Sequence, residues 1–222
     1  MESATISRKW KQLLLFAFLS TLTHGQNHSP CLPTDFSFEQ LDKQLQDIKN
    51  SLETVSDNWT SYQHGNIFNK LQALTDIIQR QDNKAFQKLL PENCSAPDVP
   101  ENGGLLCLSV KDKIYCKPMC NAGYDFNFMR RSRLFEECST ATRHKWTTQY
   151  IGGNRLAICN KSHIAVSGVP SAYFPKDQDC HITKSNEQLM QNITNIFKSE
   201  LAKAETTQAE STKLLCGNKN NN

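Results

Sequence analysis

The sequence has no surplus of one charge: 25 Lys+Arg stand against 22 Asp+Glu, a net of +3 over 222 residues. That balance does not point to nucleic acid or an anionic membrane as the main partner. Aromatics at 9% and hydrophobic residues at 38% fill modest cores rather than one large one, and the length allows one or two domains. Past residue 22 no apolar run is long enough for a stable membrane insertion. Catalytic signatures are also missing, with no G-x-S-x-G, H-E-x-x-H, P-loop or dinucleotide fingerprint. His28, His64, His144, His163 and His181 have no second ligand at zinc spacing. Cys116-x-x-x-Cys120 has one residue too many for a redox pair. Adjacent Glu136 and Glu137 would not converge on one substrate. A protein that is not an enzyme and carries no cofactor or metal is expected.

What the chain does have is cysteine, nine of them, an odd number. Their meaning depends on compartment. Residues 1–25 read as a secretory signal peptide: Arg8, Lys9 and Lys11 precede the apolar stretch Leu13–Leu22, and Thr23 and Gly25 are small enough for cleavage after Gly25. That stretch is about half of what a bilayer requires. Losing three basic residues and one acidic residue with the leader takes the net charge from +3 to +1. In an oxidising compartment the cysteines should mostly form disulfides. Glycosylation sequons at Asn27, Asn58, Asn93, Asn160 and Asn192 agree with a secreted, extracellular glycoprotein. Asn27 is the weakest of them because Pro30 follows its Ser, and Asn93 competes with disulfide formation at Cys94.

The remainder divides unevenly. Residues 26–91 carry apolar side chains at Phe38, Leu41, Leu45, Ile48, Leu52, Val55, Trp59 and Tyr62, in alternating steps of three and four. That is a heptad, opened by a capping box from Ser37 to Gln40. His64-Gly65-Asn66 breaks it, and a second run (Ile67, Leu71, Leu74, Ile78, Phe86, Leu89) stops at Pro91, so 26–91 read as an antiparallel helical hairpin. A third helix is expected within 183–215, with the stripe Met190, Ile193, Phe197, Leu201 and Ala204, followed by a disordered tail at 216–222. The heptad is compatible with a coiled coil between chains. Its flanking positions (Asp42, Lys49 and Ser56 on one side, Gln44, Ser51 and Asn58 on the other) select poorly for charge, so packing within one chain is favoured.

Residues 92–160 hold Cys94-Ser-Ala-Pro97, then Pro100-Glu-Asn-Gly103, then Cys120-Asn-Ala-Gly123-Tyr124-Asp-Phe126, then Cys138, Trp146 and Cys159. This series resembles a sushi module, also called a complement control protein module, over about 94–159. A unit that small has little core and needs covalent bracing, and Tyr124, Phe126 and Trp146 supply large apolar area to it. The resemblance implies pairing of the first cysteine with the third and the second with the fourth, that is Cys94–Cys138 and Cys120–Cys159. The chain departs from the family in its short Cys94–Cys120 spacing, its long Trp146–Cys159 segment and its additional Cys107 and Cys116. Those two, close in sequence, are placed to bridge a hairpin.

Three cysteines remain. Cys31 before the first helix and Cys180 before the third, at the end of the extension 161–182, would lie at one end of the bundle and bridge there. Cys216 would be left for an interchain disulfide and a homodimer, or would stay a free or capped thiol. The fold class expected is therefore α+β, an antiparallel helical bundle with an inserted disulfide-rich β module. Resemblance to sushi modules implies recognition of an extracellular protein or glycan. Arg130, Arg131 and Arg133 form a basic cluster suited to a sulfated glycan or an acidic partner, or else a solvated loop. Tyr150, Tyr173 and Phe174 are further candidate contacts, or else cover the module's own core. Two other classes fit the same features: a secreted effector, although the helices lack the basic face of a membrane binder, and a structural oligomer of matrix or coat.

Overall fold

The computed structural model describes residues 37–148, 152–204 and 209–218, in two units, Met1–Asn69 and Lys70–Asn222. The segment expected to be a leader, Asn27, Cys31, Tyr150 and residues 219–222 lie outside the described residues. The fold is mixed α and β.

In the first unit, helix α1 (Phe38–Val55) starts at a two-way capping box: Gln40 N donates to Ser37 Oγ and Ser37 N to Gln40 Oε1. A 3-10 turn at Ser56–Asn58 ends it, and α2 (Ser61–Gln87) follows, its residues from Lys70 onward belonging to the second unit. The break thus falls earlier than Gly65, which lies inside α2. The reason is a second capping box, in which Gln63 N donates to Thr60 Oγ1 and Thr60 N to Gln63 Oε1. One solvent-facing glycine costs a helix only about 1 kcal/mol. No residue of α1 is buried. Of the stripe on α1, Phe38, Leu41, Leu45, Ile48 and Val55 are exposed, from 41% at Leu41 to 76% at Phe38, and Leu52 is half-buried.

The second unit is built on a four-stranded antiparallel sheet in the order β4 (Glu136–Ser139), β2 (Lys113–Cys120), β1 (Gly103–Val110), β6 (Ser211–Cys216). Strands β1 and β2 make a tight hairpin, with Lys111 at φ 53° in the turn. β4 pairs with β2, and β6 pairs with β1. A separate ribbon joins β3 (Tyr124–Phe126) to β5 (Cys159–Lys161). The strand period of two sorts the side chains. Leu105, Cys107, Ile114, Cys116, Cys138 and Leu215 go to one face, where Phe86, Trp146 and Leu156 cover them. Leu106, Leu108, Tyr115, Met119 and Leu214 go to the other. There they meet Phe174 and helix α4 (Glu187–Leu201), entered through the one-turn helix α3 (Cys180–Lys184). Both faces being covered explains why β1 reads as a nearly continuous apolar run.

Two expectations need correction. The third helical segment ends at Leu201, its stripe (Met190, Ile193, Phe197, Leu201) lies on the sheet, and residues 211–216 are a strand rather than its continuation. Nor are Gly217 and Asn218 a loose tail: Gly217 N donates to Gly103 O at 3.0 Å and Asn102 N to Asn218 O at 2.9 Å.

Four disulfides hold this unit: Cys94–Cys138, Cys107–Cys116, Cys120–Cys159 and Cys180–Cys216. The last replaces both the expected Cys31–Cys180 bridge and the expected interchain bond at Cys216. The register explains it. Cys216 sits opposite Gly104 on β1, and α3 lays Cys180 over that same glycine. A Cβ at position 104 would come within 2.4 Å of Cys180 Sγ, so only glycine leaves room for the bridge.

Candidate functional site

Three loops extend from the β3–β5 ribbon, and a buried carboxylate organises two of them. Asp125, in the middle of β3, is buried between half-buried Tyr124 and buried Phe126. Its Oδ1 accepts from Phe126 N at 2.8 Å, and its Oδ2 from Val166 N at 3.2 Å and Ser167 Oγ at 2.8 Å. Ser167 N reaches both oxygens, and the Tyr173 hydroxyl donates to Oδ1. Tyr173 oxygen in turn accepts from Gly168 N at 2.6 Å. A side chain at Gly168 would strike the Phe126 ring at 2.7 Å, so the loop can lie this close only with glycine there. Arg130 N donates to Ser167 O at 2.6 Å, which ties the 127–135 loop to the 162–174 loop.

Burial raises the Asp125 pKa, but the hydrogen bonds from Tyr173, Ser167, Val166 and Phe126 outweigh it, and the carboxyl stays below its usual value. A depressed carboxylate contributes stability above its unfolded value of about 3.9, and loses it as pH falls through the folded value. Tyr173 behaves oppositely: burial and then the Asp125 carboxylate push it up to about 12. Its contribution is complete below the unfolded value of about 10 and is lost as pH rises toward 12. Amide exchange at Ser167 and Gly168, corrected for intrinsic pH dependence, should therefore accelerate below about pH 4 while the sheet amides stay protected. Uniform loss of protection would show that Asp125 is no local brace.

A second buried carboxylate braces the 127–135 loop from beneath. Glu136 on β4 is 0% exposed. Arg130 Nη2 lies 2.9 Å from Oε1 and Arg133 Nη2 2.8 Å from Oε2, and Thr147 Oγ1 donates to Oε2. Arg130 also donates to Leu156 O and stacks over Phe126 at 5.8 Å. Two of the three arginines expected to offer a basic contact are therefore occupied in holding the loop, and only Arg131 of that cluster is exposed. The aromatic candidates divide in a similar way. Phe174 is buried in the core, and Tyr173 spends its hydroxyl on Asp125.

Beside polar Asn127, Arg131 and His163, the braced loops hold four large apolar side chains in water: Phe128 at 40%, Met129 at 62%, Ile164 at 69% and Val166 at 52% exposed. None of these was singled out by sequence reasoning, since exposure is a tertiary property. The detectable signal was the Asp between Tyr124 and Phe126, a charge placed where a thin core needs apolar residues. Beside them Asn160 Nδ2 donates to Asn127 Oδ1 at 2.9 Å, which puts one sequon at the margin of this surface. The asparagines of the sequons at 58, 93, 160 and 192 are all exposed.

Elsewhere in this unit a groove of about 530 Å³ is lined by Thr75, Ile78, Asp82, His181 and Lys184 among others. Asp82 there binds both Lys184 and Lys213, so its charges answer one another. Lys117 is buried under α4 and held by Glu200 at 2.5 Å and Ser171 at 2.9 Å. Burial lowers its pKa and Glu200 opposes that. Among the described residues no group of His, Cys, Asp and Glu is assembled that could hold a metal ion, and no helix is long and apolar enough to cross a membrane. No family model, no curated protein and no solved structure matches this chain.

Proposed function

We propose that this chain is a secreted glycoprotein that binds another extracellular protein through the loops at 127–130 and 162–168. One observation carries the reading: four large apolar side chains are kept in water on loops that buried carboxylates fix in place. Isolated exposed apolar residues are ordinary, but a group of them on rigid loops is the composition of a recognition surface. Preorganised loops lose little conformational entropy on binding. Four disulfides suit an oxidising compartment. The leader-like residues 1–25, the sequons and the resemblance of 94–159 to sushi modules support the same direction. Apolar contacts favour a protein over a glycan as the ligand, and competition with free glycans distinguishes the two.

The test is a cell-surface and extracellular-fluid binding screen with the parent chain and an Ile164→Asp, Val166→Asp variant. The variant should lose about 2 kcal/mol or more of binding, as buried anchors do, with its four disulfides and its unfolding transition unchanged. Equal binding by parent and variant would place recognition elsewhere.

A further inference from the structure

The stripe on α1 is narrower than a globular helix needs. Facing a domain core takes apolar residues over a broad face, whereas a strict alternation of three and four is the seam of a coiled coil. Phe38, Leu41, Leu45, Ile48, Leu52 and Val55 follow that alternation, and α1 buries no residue. A lone helix of this length is marginal in water. We infer that α1 is a dimerisation helix that pairs antiparallel with α1 of a second copy of this chain.

Few as they are, the flanking charges distinguish the two directions in which such a pair can form. The two residues beside the seam that carry charge are Asp42 and Lys49, both on the same flank, one heptad apart. An antiparallel pair brings like flanks of the two helices together. With Phe38 opposite Val55 of the second copy, Leu41 opposite Leu52 and Leu45 opposite Ile48, Asp42 faces Lys49 of the other chain. Twofold symmetry makes that contact twice. On the other flank Gln44 faces Ser51, and no like charges meet. A parallel pair would instead put Lys49 against Gln44 and leave Asp42 beside Ser37, with both charges unanswered. The seam is thus complementary to itself in one direction only. It also ends at Val55, before the 3-10 turn that holds Asn58, so a glycan on Asn58 lies beyond the paired helices.

The experiment is sedimentation equilibrium of the full glycosylated chain in a Cys31→Ser background, which removes covalent linkage at that thiol. A reversible dimer is expected. D42K and K49D should each raise its dissociation constant by about tenfold, because two attractive cross-pairs become repulsive. The double variant D42K/K49D should restore it. Leu45→Asp should give monomer, with the thermal unfolding of the disulfide-braced unit unchanged. A monomer at every concentration overturns the inference. So does a dimer that Leu45→Asp disperses but the single charge variants leave alone, since the seam would then have another orientation or another helix as occupant. Either result leaves the loop-binding reading untouched, because Ile164 and Val166 are assayed separately.

Discussion

Glu136→Ala should destabilise the disulfide-braced unit by about 3–5 kcal/mol, the largest loss expected from any single side chain described above. Glu136 is fully buried and accepts from Arg130, Arg133 and Thr147. Removing it strands the guanidinium of Arg130, which is itself buried against Phe126, and leaves a second cation half-buried beside it. An orphaned buried charge costs far more than the net worth of its ion pair. Domains are stable by only about 5–15 kcal/mol, so the loss is a large fraction of the total. Glu136→Gln keeps one acceptor and should fall between parent and alanine variant. Arg131→Ala, at an exposed position, should stay within about 0.5 kcal/mol. Urea unfolding of the set measures all three. A loss under about 1 kcal/mol for Glu136→Ala would mean that water replaces the carboxylate and that the loop is not held by charge.

Removing the Cys180–Cys216 bridge by a double alanine substitution should cost about 4 kcal/mol, from the closure entropy of a 36-residue separation. In a unit of this size that is a fall of roughly 10 °C in Tm. Alanines leave a gap over Gly104 that nothing else fills. Gly104→Ala in the parent should reproduce much of the loss, because its methyl group would meet the cystine sulfur and the backbone carbonyl of Leu215, 2.7 Å away. Non-reducing peptide mapping checks the premise: Cys180 and Cys216 should appear in one linked peptide pair of a single chain. A Cys216–Cys216 peptide would restore the interchain bond and remove this one.

Much of the molecule could be read from residues, and the failures have physical reasons. The heptad and the Ser37–Gln40 capping box are local, so α1 was legible to its first residue. Its end is not, because Gly65 suggests a breaker while the true boundary is marked by Thr60-x-x-Gln63, the same pattern as the first cap. β6 was missed because Leu214-Leu215-Cys216 follows a fading helical stripe. Its alternation appears only when Leu214 and Cys216 are assigned to one face and Leu215 to the other. Once 211–216 is a strand beside β1, Cys216 cannot remain at a far end, and the partner for Cys180 changes with it. The arginine cluster reads as a surface because cations usually lie there. Glu136, six residues from Arg130 and three from Arg133, reads in sequence only as half of a pair of adjacent carboxylates. In a strand neighbours face opposite ways, so Glu136 turns inward while Glu137 takes the Ser139 hydroxyl at 2.6 Å.

The pairing of β1 with β6 also orders events in time. Gly104 meets Met119 across a two-residue turn but meets Cys216 only after about a hundred further residues have been made. The β1–β2 hairpin and its cystine can form early, while the outer edge of β1 waits with its amides unpaired. Chain that emerges at about 5–20 residues per second leaves that edge open for several seconds. An open edge of that kind invites chaperones, and Cys180, once made, must wait 36 residues for Cys216 with Cys31 already present as a wrong partner. Yield in the cell should therefore depend on disulfide isomerase more steeply than the stability of the finished molecule would suggest.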